Sequence, residues 1–220
     1  MKAPVAALAL AASLGVAMPT VAQGAAEISH ARTVATMYAT AACVVETHGQ
    51  AIEAFLSAPV QRMPSYLERS VERCLGSHTY DLQFAGVAMP VAFLRGALAA
   101  AYVRRRQRAL PPAISQRRAS YTASWMSSQA NDLVVEEMSA CLAETQPSLV
   151  DDVLLTPPAS LQEAGALKMI SQFMGPCLRQ GVTLKTNPDM LHASLGEALY
   201  HREFDPASTT SLASAAGGKN

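Results

Sequence analysis

Two stretches of this chain that lie 98 residues apart begin alike, Cys43-Val-Val-Glu46-Thr47 and Cys141-Leu-Ala-Glu144-Thr145, and each reaches a proline sixteen residues on, Pro59 and Pro157. A second cysteine closes each stretch, Cys74 in one and Cys177 in the other. The four cysteines therefore sort into two modules, and the chain reads as an internal duplication. At the same offset Ile52 meets Val150, Phe55 meets Val153 and Leu56 meets Leu154. After the prolines the register slips, and at an offset of 97 Leu94, Leu98 and Ala101 lie over Leu191, Leu195 and Ala198, with Arg105 over Arg202. Gaps of this size belong in loops, so the segments between them are expected to be helices of one common fold.

The beginning of the chain sets how the cysteines are read. Met1-Lys2, an apolar run from Val5 to Met18 and the exit Pro19-Thr20-Val21-Ala22 have the pattern of a secretory signal peptide, with cleavage expected after Ala22. In an oxidising compartment an even number of cysteines means disulfides. The repeat selects Cys43 with Cys74 and Cys141 with Cys177 from the three possible pairings, and localisation is expected to be periplasmic or secreted.

Half the residues are hydrophobic and 15% are charged, a balance that favours a packed core over disorder. Alanine and leucine dominate while β-branched and aromatic alternation is scarce, so the fold class expected is all-α: an internally duplicated helical bundle of two units, each of about four helices, related by a pseudo-twofold axis. In the first unit helices are expected over Ala31–His48, Gln50–Ser57, Ser65–Leu75 and Pro90–Arg106. Their equivalents are Ser124–Thr145, Ser148–Leu155, Ser160–Arg179 and Asp189–Arg202. Ser65 with Glu68, and Ser160 with Glu163, have capping-box spacing. Leu82–Phe84 and Val182–Leu184 alternate briefly and are candidates for a very short two-stranded ribbon. The domain plan is then a signal peptide (1–22), a first helical repeat (27–106), a basic Pro-containing linker (107–123), a second repeat (124–204) and a disordered low-complexity tail (205–220).

Leu82 to Val103 is the most hydrophobic stretch of the chain after the leader, but Pro90 and Arg95 interrupt it and its counterpart contains Lys185, Asp189, His192 and Glu197. An arginine near a bilayer centre costs about 2.5 to 3.5 kcal/mol even on a lenient insertion scale. A buried core helix is expected, and no integral membrane protein once the leader is removed.

Chemistry-bearing motifs are few. No Cys-x-x-Cys, His-Glu-x-x-His, haem-attachment, phosphate-loop, Gly-x-Ser-x-Gly or dinucleotide pattern occurs, so no metal or cofactor is expected. Glu46 and Glu144 are acids placed identically in both copies. Facing each other across the axis they would form a paired-carboxylate site; the plainer role is a local ion pair or cap, with Arg105 and Arg202 as partners. Arg104, Arg105, Arg106, Arg108, Arg117 and Arg118 make a basic run without an acid, followed from Ala119 onward by eleven acids against five bases. This run is a candidate anion-binding surface for an envelope component or the acidic second copy. It lacks interleaved aromatics, so no nucleic acid is expected. The function expected is non-catalytic, a structural or partner-binding role in the cell envelope. The alternatives are a hydrolase-like enzyme using Glu46 and Glu144 between the repeats, or a carrier of a small apolar ligand.

Overall fold

The computed structural model describes residues 21–58, 63–76, 91–106, 113, 125–126 and 133–204. Among these residues it is all-helical, with α1 (Val21–Ser57), α2 (Ser65–Gly76), α3 (Val91–Arg106), α4 (Leu133–Thr145), α5 (Pro147–Leu155), α6 (Leu161–Ser171), α7 (Met174–Cys177) and α8 (Pro188–Phe204). The residues before Val21, where a signal peptide is expected, Leu82–Phe84, Arg108, Arg117, Arg118 and the residues from Asp205 lie outside the described residues.

Burial explains the arrangement. From Phe93 to Val103 only Ala101 of α3 is not buried, and every residue of α8 from Leu191 to His201 except Ser194 is buried. Helices buried on all sides lie inside a core even though they carry the polar Arg95, His192, Glu197 and His201, and these two form the central pair, with the most extensive contact in the fold between them. Their approach is set by glycine. A Cβ on Gly96 would lie 2.2 Å from the Ala193 carbonyl oxygen, and one on Gly196 would lie 2.9 Å from the Gly96 carbonyl oxygen. The backbones thus touch where a side chain on either residue would hold them apart. On one side α1 packs on α3 and α2 on α1; on the other α4 and α5 pack on α8, α7 on α4 and α6 on α5. One hydrophobic cluster draws on both halves, from Val34 and Leu56 to Leu154 and Tyr200.

The amphipathic outer helix α2 shows the local logic. It buries Leu67, Ser70, Val71 and Cys74 at steps of three, one and three residues, the stripe of a one-faced helix. Cys74 meets Cys43 of α1 in a disulfide, and Cys177 of α7 meets Cys141 of α4 in a second, with Cα atoms 5.9 and 5.6 Å apart. Loops of 31 and 36 residues are closed in this way, each worth about 3 to 4 kcal/mol in the chain-closure account. Replacing Cys43 and Cys74 together by serine should lower the unfolding free energy by about that much. Urea unfolding of the oxidised protein and the variant measures it, and a loss below about 1 kcal/mol would mean that packing alone holds α2.

Several boundaries differ from expectation. The two helices expected either side of Gly49 run together as α1 across a kink at His48, whose φ of −137° and ψ of 34° are not helical. The helix expected from Ser124 is observed from Leu133, and Trp125 and Met126 sit in a turn, because their large side chains are buried in the core at 2% and 7% exposure. The helix expected over Ser160–Arg179 is broken by a turn at Gln172–Phe173, and α7 carries Cys177 back to α4. Ser160 caps α6 as its spacing implies, accepting from Glu163 N at 3.1 Å. At α2 the Pro64 carbonyl instead accepts from Leu67 N and Glu68 N. Val182–Leu184 is irregular and Val182 N turns back to the Arg179 carbonyl, so this half of the expected ribbon is no strand. No described helix is long and apolar enough to cross a membrane.

Candidate functional site

An open groove of about 890 Å³ lies among the described residues between α1, α3 and the turn after α5. Ala35, Ala39 and Ala42 recur along one face of α1 and are exposed, while Tyr38 and Val45 beside them are buried. Ala100 and Ala101 of α3 continue this floor, and Leu155, Pro157 and Pro158 form the opposing wall. Glu46, Arg104 and Arg105 also line it. They share one end, because Arg105 Nη1 donates to the Val45 carbonyl at 2.5 Å.

The expected site residues are therefore divided. Glu46 is exposed on the groove, whereas Glu144 is buried at 3% exposure within α4 and lines neither the groove nor the two smaller recesses described below. The two glutamates share no recess, since α1 packs on α3 while α4 packs on α8. The two matched arginines both reach a backbone carbonyl: Arg105 donates to that of Val45, and Arg202 to that of Ala143. Each acceptor stands one residue before its glutamate. Four residues after Ala143 stands Pro147, which has no N–H to give, and Val45 lies just before the kink at His48; at each place the guanidinium supplies a donor. Arg106 turns back to Glu53 at 3.0 Å and to the Tyr102 hydroxyl, so of the consecutive arginines only Arg104 has no partner among the described residues.

A second polar centre was not singled out from the sequence. Glu163 Oε1 lies 2.6 Å from His192 Nδ1, both side chains buried, and Glu163 Oε2 accepts from Ala159 N at 2.6 Å. That bond holds Ala159 in the left-handed region at φ 56°, where a residue with a Cβ is strained. Tyr38 packs edge-on against His192 with ring centroids 4.8 Å apart. Burial, with the charges of Glu163 and Asp189, holds its phenol well above the ordinary range. A recess of about 610 Å³ opens above this centre, lined by Glu163, Asp189, Asn187, Ser160 and His30, and His30 Nε2 pairs with Asp189 at 3.0 Å. The N-termini of α6 and α8 both border it, each with a carboxylate in its first turn, Glu163 and Asp189. The favourable field of a helix N-terminus explains the acids.

A carboxylate that fixes an imidazole is also how catalytic bases are oriented. Here, however, His192 is 1% exposed and its Nε2 is buried without a hydrogen-bond partner, so the ring faces packed protein and no solvent-filled site. The capping-box spacing of Ser160 and Glu163 was the available signal for Glu163; nothing local points to His192. The Tyr38 hydroxyl has no partner among the described residues either. Tyr38→Phe should therefore leave stability at neutral pH unchanged or raised by up to about 1 kcal/mol, because no hydrogen bond is lost. A folded-state pKa raised above the unfolded value of about 10 gives a stability that is full below pH 10 and falls as pH rises beyond it. Melting of the phenylalanine variant should fall less steeply above pH 10 than that of the parent, and parallel curves would disprove this account.

The third recess, of about 240 Å³, lies beside Glu197 and Ser194 of α8, with Lys185 and Glu136 on its wall. Its buried acid, Glu197, is paired with Arg95 Nε at 2.6 Å. No group of three or more His, Cys, Asp or Glu side chains suited to a metal ion occurs among the described residues. Comparison of the chain with protein-family models, with curated proteins and with solved structures finds no match.

Proposed function

We propose that this is an exported, periplasmic or secreted, disulfide-clamped protein built of two duplicated helical units, acting without catalysis by holding a segment of a partner protein in the groove between α1 and α3. The observation that carries this reading is the contrast between groove and interior. The α3/α8 crossing is filled to backbone contact, whereas the groove is open, floored by small apolar side chains and ended by charged side chains, of which Arg105 is bonded to the Val45 carbonyl and Arg104 has no partner among the described residues. The duplication is supported by three pairs of equivalent contacts: the disulfides, the arginine bonds to Val45 and Ala143, and the bonds of Thr47 and Thr145 Oγ1 to the Cys43 and Cys141 carbonyls at 2.9 and 2.8 Å. Export is supported by the leader pattern and by the absence of free cysteines among the four. An enzyme built on Glu46 and Glu144 finds less support because they share no recess. A carrier finds less because the recesses found are open ones on polar rims.

A photo-crosslinking residue placed at Ala39 in the groove, and for comparison at Gly165, which is exposed on α6 with open space around it, tests the reading in the native host. The Ala39 protein should give a discrete adduct with one partner that the Gly165 protein does not give, and that Ala42→Trp in the same protein abolishes. Identical adducts from both positions, or none from Ala39, would remove the groove as the binding face.

A further inference from the structure

Resting on that groove reading, we infer that the segment it takes is an apolar peptide stretch of a protein partner that carries a carboxylate, seated against Arg104. From Ala35 to Glu46 the groove follows eleven steps of helix, about 16 Å at 1.5 Å each. That length matches about three turns of a helix or about five residues of extended chain. Small side chains on the floor let a backbone come close, and the wall of Leu155, Pro157 and Pro158 offers apolar contact, Leu155 being 57% exposed.

Charge decides the chemistry of the end. Two arginines face one glutamate there, an excess of one positive charge. The three consecutive arginines at the end of α3 have an ordinary explanation in the negative field of a helix C-terminus, and two of them are already engaged, Arg105 by Val45 and Arg106 by Glu53 and Tyr102. Those bonds fix the end of the groove and leave Arg104, exposed and without a partner among the described residues, beside it. Adhesion to an anionic membrane draws on several free cations at a surface. An excess of one positive charge at the end of a concave apolar trough, with Arg104 the arginine that has no partner there, instead matches a single carboxylate on an apolar peptide.

The test is selection from a displayed random peptide library on the oxidised full chain, with each binder re-measured on Ala39→Trp, which fills the groove, on Arg104→Glu, and on vesicles of anionic phospholipid. Both replaced residues are exposed, so Ala39→Trp should melt with the parent and Arg104→Glu only slightly below it, because it reverses a charge favoured at the end of α3; that both are folded is checked first. Binders should be rich in Asp or Glu beside apolar residues and weaken at least about tenfold on both variants. Exchanging the acid of a binder for lysine should restore its binding to Arg104→Glu. Binders that depend on the groove but ignore Arg104→Glu would overturn the carboxylate and leave the groove standing. Absence of any binder sensitive to Ala39→Trp would overturn both. Arg104-dependent retention on the vesicles, without acidic residues among the peptides, would overturn the inference in favour of a membrane surface.

Discussion

Gly96→Ala should destabilise this protein by about 3 kcal/mol or more, at the upper end of what overpacking a core costs. The new methyl would lie 2.2 Å from the Ala193 carbonyl oxygen, 2.4 Å from its carbonyl carbon and 2.6 Å from its Cα. All three are backbone atoms of α8, so no side-chain rotation can relieve the clash and the central helices must part. Parting them exposes the cluster around Leu94, Leu98, Leu195 and Leu199, all nearly inaccessible to solvent. Two other glycines calibrate the result. At Gly196 the nearest atoms are the Ala100 Cβ at 2.8 Å and the Gly96 carbonyl oxygen at 2.9 Å, longer contacts than at Gly96, so a smaller loss is expected. At Gly165 nothing lies within 4 Å, so Gly165→Ala should stabilise by about 0.5 to 1 kcal/mol. Melting followed by circular dichroism orders the three. A Gly96→Ala protein that melts with the parent would mean that α3 and α8 do not cross as described.

What could be read from the sequence was what local signals encode. The disulfide pairing followed from the duplicated cysteines, and the ends of α2, α3, α5 and α8 from prolines, glycines and caps that act within one turn. The polar interior could not be read. Arg95 was recognised only as an obstacle to membrane insertion, and its partner Glu197 stands 102 positions away on another helix. Glu163 and His192 are 29 positions apart and meet only once α6 is laid beside α8. Trp125 was expected on a helix and stands in a turn with its ring buried, a placement that its local sequence does not encode. Glu46 and Glu144 stand at matching places in two similar sequence stretches, and matched spacing speaks to local structure before it speaks to a site. Their different exposure depends on which helices cover them, which spacing does not encode.

Arg95→Met should be the most destabilising polar substitution, by about 3 to 5 kcal/mol, the range for breaking a buried ion pair from one side. The guanidinium is inaccessible to solvent and fully used: Nε pairs with Glu197 at 2.6 Å, Nη1 donates to the Phe55 and Ala58 carbonyls at 2.8 and 2.9 Å, and Nη2 donates to Leu56 at 2.6 Å. Those carbonyls belong to the last turn of α1 and the residue after it, whose oxygens have no partners further along the helix. One side chain thus ends α1, lies over the Phe55 ring with 5.2 Å to its centre, and neutralises an acid on α8. Methionine fills much of the space but leaves the carbonyls without this donor and Glu197 without its cation. Lysine keeps the charge yet cannot fork toward four acceptors, so Arg95→Lys should fall between parent and methionine variant. Adding Glu197→Leu to Arg95→Met removes the orphaned acid and should recover part of the loss, the remainder measuring the unsatisfied end of α1. Denaturant unfolding of the four proteins gives these differences. If Arg95→Met costs less than about 1 kcal/mol, the arginine is not the clamp joining α1, α3 and α8.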